Sequence, residues 1–177
     1  GIIIAVYNES LEIVEPTIKA VIDSNFDKKK IVLTIAYEQR GGREVEKTVK
    51  HLVNKYKDHF MMAETYMHPT DIPDEVIGKG GNINFAGRKL QSWFESQDID
   101  PARVLITTLD ADNRPHPNYF ASLTYTFALC PEPKYISFQP TPVFSNNIWD
   151  VPAPMRVIAT GNSFWMVVLS MRTHMLR

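Results

Sequence analysis

Val104-Leu105-Ile106-Thr107-Thr108-Leu109-Asp110-Ala111-Asp112 is an apolar, β-branched run that ends in two carboxylates. It predicts a buried strand. Side chains two residues apart on an extended backbone point to the same face. Asp110 and Asp112 therefore aim at one spot just past the strand's carboxyl end. In an open α/β sheet, ligands bind in the crevice at that end. Two hard oxygen donors there suit a divalent cation shared with a phosphate-bearing substrate. The plainer alternative is a solvated acidic turn leading into Asn113-Arg114-Pro115, and Asp-x-Asp is common by chance. Its place after a long apolar run favours the functional reading.

On the amino-terminal side of this stretch, strand and helix patterns alternate. Ile2 to Val6 is a continuous apolar run, as expected of a strand covered on both faces. Val14, Ile18, Val21 and Ile22 recur at helical spacing. Pro16 is expected in the first turn of that helix, where a missing N–H matters little. Lys28-Lys29-Lys30 reads as a solvated connection, Ile31 to Tyr37 as a second strand, and Glu38 to Gly42 as a polar loop. Val45, Val49, Leu52, Val53 and Tyr56 form a second helical stripe. Phe60 to Met67 is expected to be a third strand, and His68 to Glu75 a loop with two prolines. Gly78-Lys79-Gly80-Gly81-Asn82 opens a helix with Ile83, Ala86, Leu90, Trp93 and Phe94 on one face. Gly80 and Gly81 would let the backbone approach an anion at that helix start. An ordinary loop with Asn82 as the N-cap explains the same residues equally well.

Beyond Asp112, Pro117 is expected to begin a helix carrying Phe120, Leu123, Thr124 and Phe127, stopped by Pro131-Glu132-Pro133. Tyr135 to Gln139 reads as a fifth strand. Pro140, Pro142, Pro152 and Pro154 mark an irregular segment before a mostly apolar stretch from Met155 to Leu176. Alternating strands and helices predict βαβ units. The fold class is α/β, a Rossmann-like, mostly parallel sheet with helices on both faces.

The 177 residues are 44% hydrophobic and 22% charged, which suits one globular domain with a sizeable core. A formal net charge of -1 gives no general attraction to nucleic acid. The single cysteine, Cys130, forms no internal disulfide and reads as a small packing residue. No run of about 18 apolar residues is present. The abrupt beginning in Ile2-Ile3-Ile4 and the abrupt end suggest a segment of a longer protein. His51, His59, His68, His116 and His174 lack paired metal-ligand spacing and read as surface or packing residues. Trp93 and Phe94 read as core; Trp149 and Trp165 could border an acceptor or a membrane face.

Tyr7-Asn8-Glu9, Glu38-Gln39 and Asp110 to Asp112 each follow a strand, so they should line one rim. With Lys79 to Asn82 they supply acceptors for a base and ribose, a cation for a diphosphate and two carboxylates for a metal. The loop after the first strand is neither a Walker A loop nor a dinucleotide fingerprint.

Four motifs in this order, Val6-Tyr7-Asn8-Glu9, Lys79-Gly80-Gly81-Asn82, Leu109-Asp110-Ala111-Asp112 and Phe138-Gln139-Pro140-Thr141-Pro142, resemble the family-2 glycosyltransferases. Those enzymes have the GT-A fold; the last motif is similar to the processive, cellulose-synthase-like branch. The resemblance covers nearly the whole chain and implies a metal-dependent, inverting transfer from a nucleotide-diphosphate sugar, a UDP-sugar first among candidates. The acceptor would be a carbohydrate or a lipid-linked molecule. It implies that Tyr7, Asn8 and Glu9 border the base and ribose, and that Glu38 stands where the family has an Asp contacting the base. Lys79 and Asn82 would approach the diphosphate or uridine, and Asp110 the ribose or sugar. Asp112, with Asp110, would ligate Mg²⁺ or Mn²⁺. It also implies a parent protein anchored in the membrane outside this segment, working at its cytoplasmic face. The carboxylate that deprotonates the acceptor is absent from this sequence, as is the Gln-x-x-Arg-Trp element of processive members, and Asp150 is not assigned the role. The chain thus reads as the donor-binding portion, residues 1–177, able to bind and not to transfer. Two alternatives stand beside this: a nucleotidyltransferase on a similar sheet, and a catalytically silent nucleotide-sugar-binding or scaffold domain.

Overall fold

The computed structural model describes residues 1–73, 75, 77–132, 136–143 and 148–170. The expectations for Tyr135 and His174, and for the last residues of the apolar carboxyl-terminal stretch, lie outside the described residues. The chain divides into two compact units, Gly1–Lys134 and Tyr135–Arg177.

The first unit is α/β. Its four strands are β1 (Ile2–Val6), β2 (Val32–Glu38), β3 (Met62–His68) and β4 (Thr107–Asp110). All pair in parallel, in the order β3-β2-β1-β4. The connections are α1 (Leu11–Ile22), α2 (Gly42–Tyr56) and α3 (Lys79–Ser96). Parity along the strands decides which helix covers which face. Ile2, Ile4, Val6, Leu33, Ile35 and Tyr37 meet Val14, Ile18 and Val21 of α1 and Val49 and Leu52 of α2. The opposite parity, Ile3, Val32 and Ala36, meets Ala86, Leu90 and Phe94 of α3. Helices therefore cover both faces, and every residue of β1 and β2 is buried. Each large side chain so buried contributes about 1.5–3 kcal/mol.

Several expectations are corrected. Pro16 lies inside α1, past its first turn, because the helix starts at Leu11 with the Ser10 carbonyl accepting from Ile13 and Val14 N–H at 3.1 and 3.2 Å. One backbone bond, to the Glu12 carbonyl, is thereby lost. Val104 to Ile106 is irregular, and β4 begins only at Thr107. β1 pairs with it from Ile2 opposite Thr107, and the Gly1 amino group donates to the Leu105 carbonyl at 2.7 Å. β4 is not buried on both faces either: Thr108 and Asp110 are exposed while Thr107 and Leu109 are buried. It stands at the edge of the sheet. His68 is the last residue of β3, not of the following loop, and packs against Phe85 with ring centroids 5.5 Å apart. α4 (Tyr119–Leu129) starts two residues after Pro117 and buries only Phe120 of the predicted face.

In the second unit, Ile136 to Gln139 carries no strand. Prolines at 133 and 140 flank it, and proline donates nothing to a ladder. Farther along, α5 spans Ala153–Ser170. The Arg156 guanidinium donates to the Val151 and Trp149 carbonyls at 2.8 and 3.0 Å and sits 5.2 Å from the Trp149 ring centroid. Among the described residues, no helix is long and apolar enough to cross a membrane.

Candidate functional site

The chain goes from β1 to β2 to β3 on one side, then returns to place β4 on the other side of β1. That reversal opens a crevice at the carboxyl ends of β1 and β4, the place where open α/β sheets bind ligands. A cleft of about 310 Å³ occupies it, within the first unit. Small-molecule sites start at roughly this size. Tyr7, Glu9, Glu38, Lys79, Asn82, Asp110 and Asp112 all line the cleft. Of the residues singled out from the sequence for this rim, Asn8, Gln39, Gly80 and Gly81 do not. Ala5, Val6, Ile13 and Ala111 supply its apolar walls.

The turn after β1 is held by its own acid. The Glu9 carboxylate accepts from the Tyr7 and Asn8 N–H groups at 2.7 and 3.2 Å. Asn8 thus contributes a backbone donor to the turn and not a cleft side chain. Gly41 is needed beside it, since a Cβ there would overlap the Tyr7 carbonyl oxygen.

Glu38 ends β2 and is only 3% exposed. A buried carboxylate is costly unless partnered; the Arg40 Nε–H donates to it. That hydrogen bond raises the pKa of an already cationic guanidinium. Arg40 also lies over the Tyr7 ring, 4.4 Å from its centroid. Arg40 is a site residue that the motifs do not include. Its signal was its place two residues after Glu38, in the single 3₁₀ turn of Gln39–Gly41.

Asn82 is no N-cap. Gly78 caps α3 with φ of 151°, a conformation open to glycine and strained for other residues. A Cβ at Gly80 would meet open space, whereas the positive φ of Gly78 favours glycine there. Asn82 lies in the second turn of α3, 1% exposed, and its Nδ2 donates to the Val6 and Ala36 carbonyls at 3.4 and 3.0 Å. Those two acceptors fix the amide orientation. They also tie the ends of β1 and β2 to α3. The Oδ1, buried as well, has no hydrogen-bond partner among the described residues.

Lys79, the first residue of α3, forms an ion pair with Asp110, the last residue of β4. Both side chains are about half exposed. The turn that follows is anchored from behind: the Thr17 hydroxyl of α1 donates to the buried Ala111 carbonyl at 2.6 Å. With Leu109 and Ala111 facing the core, Asp110 and Asp112 fall on the cleft side.

For a metal, the donor set is a carboxylate pair. Among the described residues, no group of three or more His, Cys, Asp and Glu side chains could enclose an ion. A pair fits a hard cation that completes its shell with phosphate oxygens and water, as Mg²⁺ does. It does not fit a closed structural metal site. His68, buried beside Phe85, has its Nε2 3.3 Å from the Glu75 carboxylate without hydrogen-bond alignment. His116 accepts the Asn118 N–H at 3.2 Å at the start of α4.

No protein-family model matches the chain, and no curated protein or solved structure matches it.

Proposed function

We propose that the chain is the donor-binding portion of a metal-dependent glycosyltransferase that uses a nucleotide-diphosphate sugar. The observation that supports this reading most is the convergence of three separate turns and one helix start on a single cleft. Together they bring three chemical parts. The Tyr7 ring and Glu38 suit a base and its N–H donors. Lys79 suits a diphosphate. Asp110 and Asp112 would hold Mg²⁺ or Mn²⁺ together with diphosphate oxygens. The bound metal supplies a Lewis acid that offsets charge on the departing nucleoside diphosphate. The chain's own residues orient the donor against the sheet edge. The reading assigns donor binding; it assigns no residue to deprotonation of the acceptor. By the family resemblance, transfer is inverting, the acceptor is a carbohydrate or lipid-linked molecule, and the parent protein works at the cytoplasmic face of a membrane.

The test is a thermal-unfolding titration with UDP, GDP and dTDP, each with and without Mn²⁺. Ligands that bind only the native state raise its melting temperature. UDP with Mn²⁺ is expected to give the largest rise, and Asp112→Asn to abolish it while leaving the unliganded melting temperature unchanged. No rise with any of the three nucleotides refutes the reading.

A further inference from the structure

Lys79 and Asp110 form an ion pair within the cleft, and we propose that they are an exchange pair that couples cation binding to diphosphate binding. This rests on the reading of the cleft as a nucleotide-diphosphate and metal site. The two residues lie 31 positions apart, on α3 and β4, and meet only because the fold brings a helix start to the end of an edge strand. Both line the cleft, and both are half exposed, so either can turn to a new partner without uncovering the core. Of the three other acids that line the cleft, Asp112 completes the carboxylate pair and two are differently committed. Glu38 is buried against Arg40, and Glu9 caps its own turn.

The consequence follows from charge alone. The ammonium sits on the carboxylate that a metal ion would take. The carboxylate holds the ammonium that a diphosphate would take. A cation arriving alone must displace Lys79, and a diphosphate arriving alone must displace Asp110. Arriving together, each releases the group that the other needs, and no charge is left without a counter-ion. Each ligand therefore strengthens the other by the same factor, as linkage requires. An ion pair in contact with solvent sets the size of this factor at about two- to five-fold for each half-ligand.

A purely structural ion pair makes a different prediction, which separates the two. Lys79→Met is expected to bind Mn²⁺, with no nucleotide present, about two- to five-fold more tightly than wild type. The readout is the paramagnetic resonance signal of free Mn²⁺. Asp110→Asn is expected to bind pyrophosphate in the presence of a chelator more tightly by a similar factor, read by calorimetry. Both variants are expected to bind UDP with Mn²⁺ more weakly than wild type. Lys89→Met, on an exposed part of the same helix that does not line the cleft, controls for net charge and should leave Mn²⁺ binding unchanged. Absence of either half-ligand gain, or an equal gain in Lys89→Met, overturns the exchange. Failure of wild type to bind UDP with Mn²⁺ instead overturns the functional reading. The half-ligand measurements contain no nucleotide, so the two failures are told apart.

Discussion

The two ion pairs at the cleft are built on different kinds of strand. Glu38 ends β2, an interior strand buried along its whole length, and its carboxylate is covered apart from Arg40. Asp110 ends β4, an edge strand exposed on one side, and its pair with Lys79 stays in contact with water. Beside Glu38, Asn82 ties β1 and β2 to α3, and Gly41 lets the backbone pass close to Tyr7. Beside Asp110 lie Asp112 and a short turn held from below by Thr17. One wall of the cleft is thus part of the packed core, and the other is a surface laid on it. A fixed wall can define shape, and an open wall can change partners.

If this contrast is right, substitutions on the fixed wall should cost stability and those on the open wall should cost only binding. Asn82→Ala is expected to have the largest effect, about 2–3 kcal/mol by urea unfolding, because two carbonyls lose a buried donor. A loss below about 0.5 kcal/mol would mean that the strand ends do not depend on it. Gly41→Ala comes next, at about 1–2 kcal/mol, since the backbone around Tyr7 must shift to admit a Cβ. Lys79→Met and Asp110→Asn are expected to stay within about 0.5 kcal/mol of wild type, as exposed ion pairs do. A larger cost in either would make the open wall structural as well.

Glu15 offers a reference away from the cleft. It accepts from Lys55 and from the Tyr56 hydroxyl at 2.7 and 2.6 Å, joining α1 to α2. The Lys55 hydrogen bond, then that of Tyr56, lowers its pKa from 4.5 to about 2. A depressed carboxylate pKa stabilises the fold above the unfolded value, and the gain is lost as pH falls through the folded value. The stability difference between wild type and Glu15→Gln should therefore be constant above pH about 4.5 and vanish towards pH about 2. A difference that persists at pH 2 would show that the ion pair is not its source.

Much of this was readable along the chain. The apolar stripes of Val14, Ile18 and Val21, and of Val45, Val49 and Leu52, are helical because their spacing matches the helix repeat, and all six are buried. The alternation of strand and helix fixed the fold class. Placement of Asp110 and Asp112 on one side followed from the period of an extended chain. Where the reading failed, the missing information was pairing. Val104 to Ile106 has strand composition but lies before the β1–β4 register, which runs from Ile2 opposite Thr107. Ile136 to Gln139 has strand composition between two prolines. Proline favours the first turn of a helix, but Pro16 stands five residues after the start of α1 at Leu11.

Residue order by itself determined what each element is and which residues stand at its carboxyl end, because side-chain periodicity and turn chemistry act over a few neighbours. Tertiary structure alone decided that β4 returns to the far side of β1, that Asn82 reaches two strands, that Arg40 covers Tyr7 and that Lys79 meets Asp110. Those contacts join residues some 30 to 105 positions apart. No local propensity encodes them. They exist because burying both faces of one sheet leaves the chain few ways to bring its turns together.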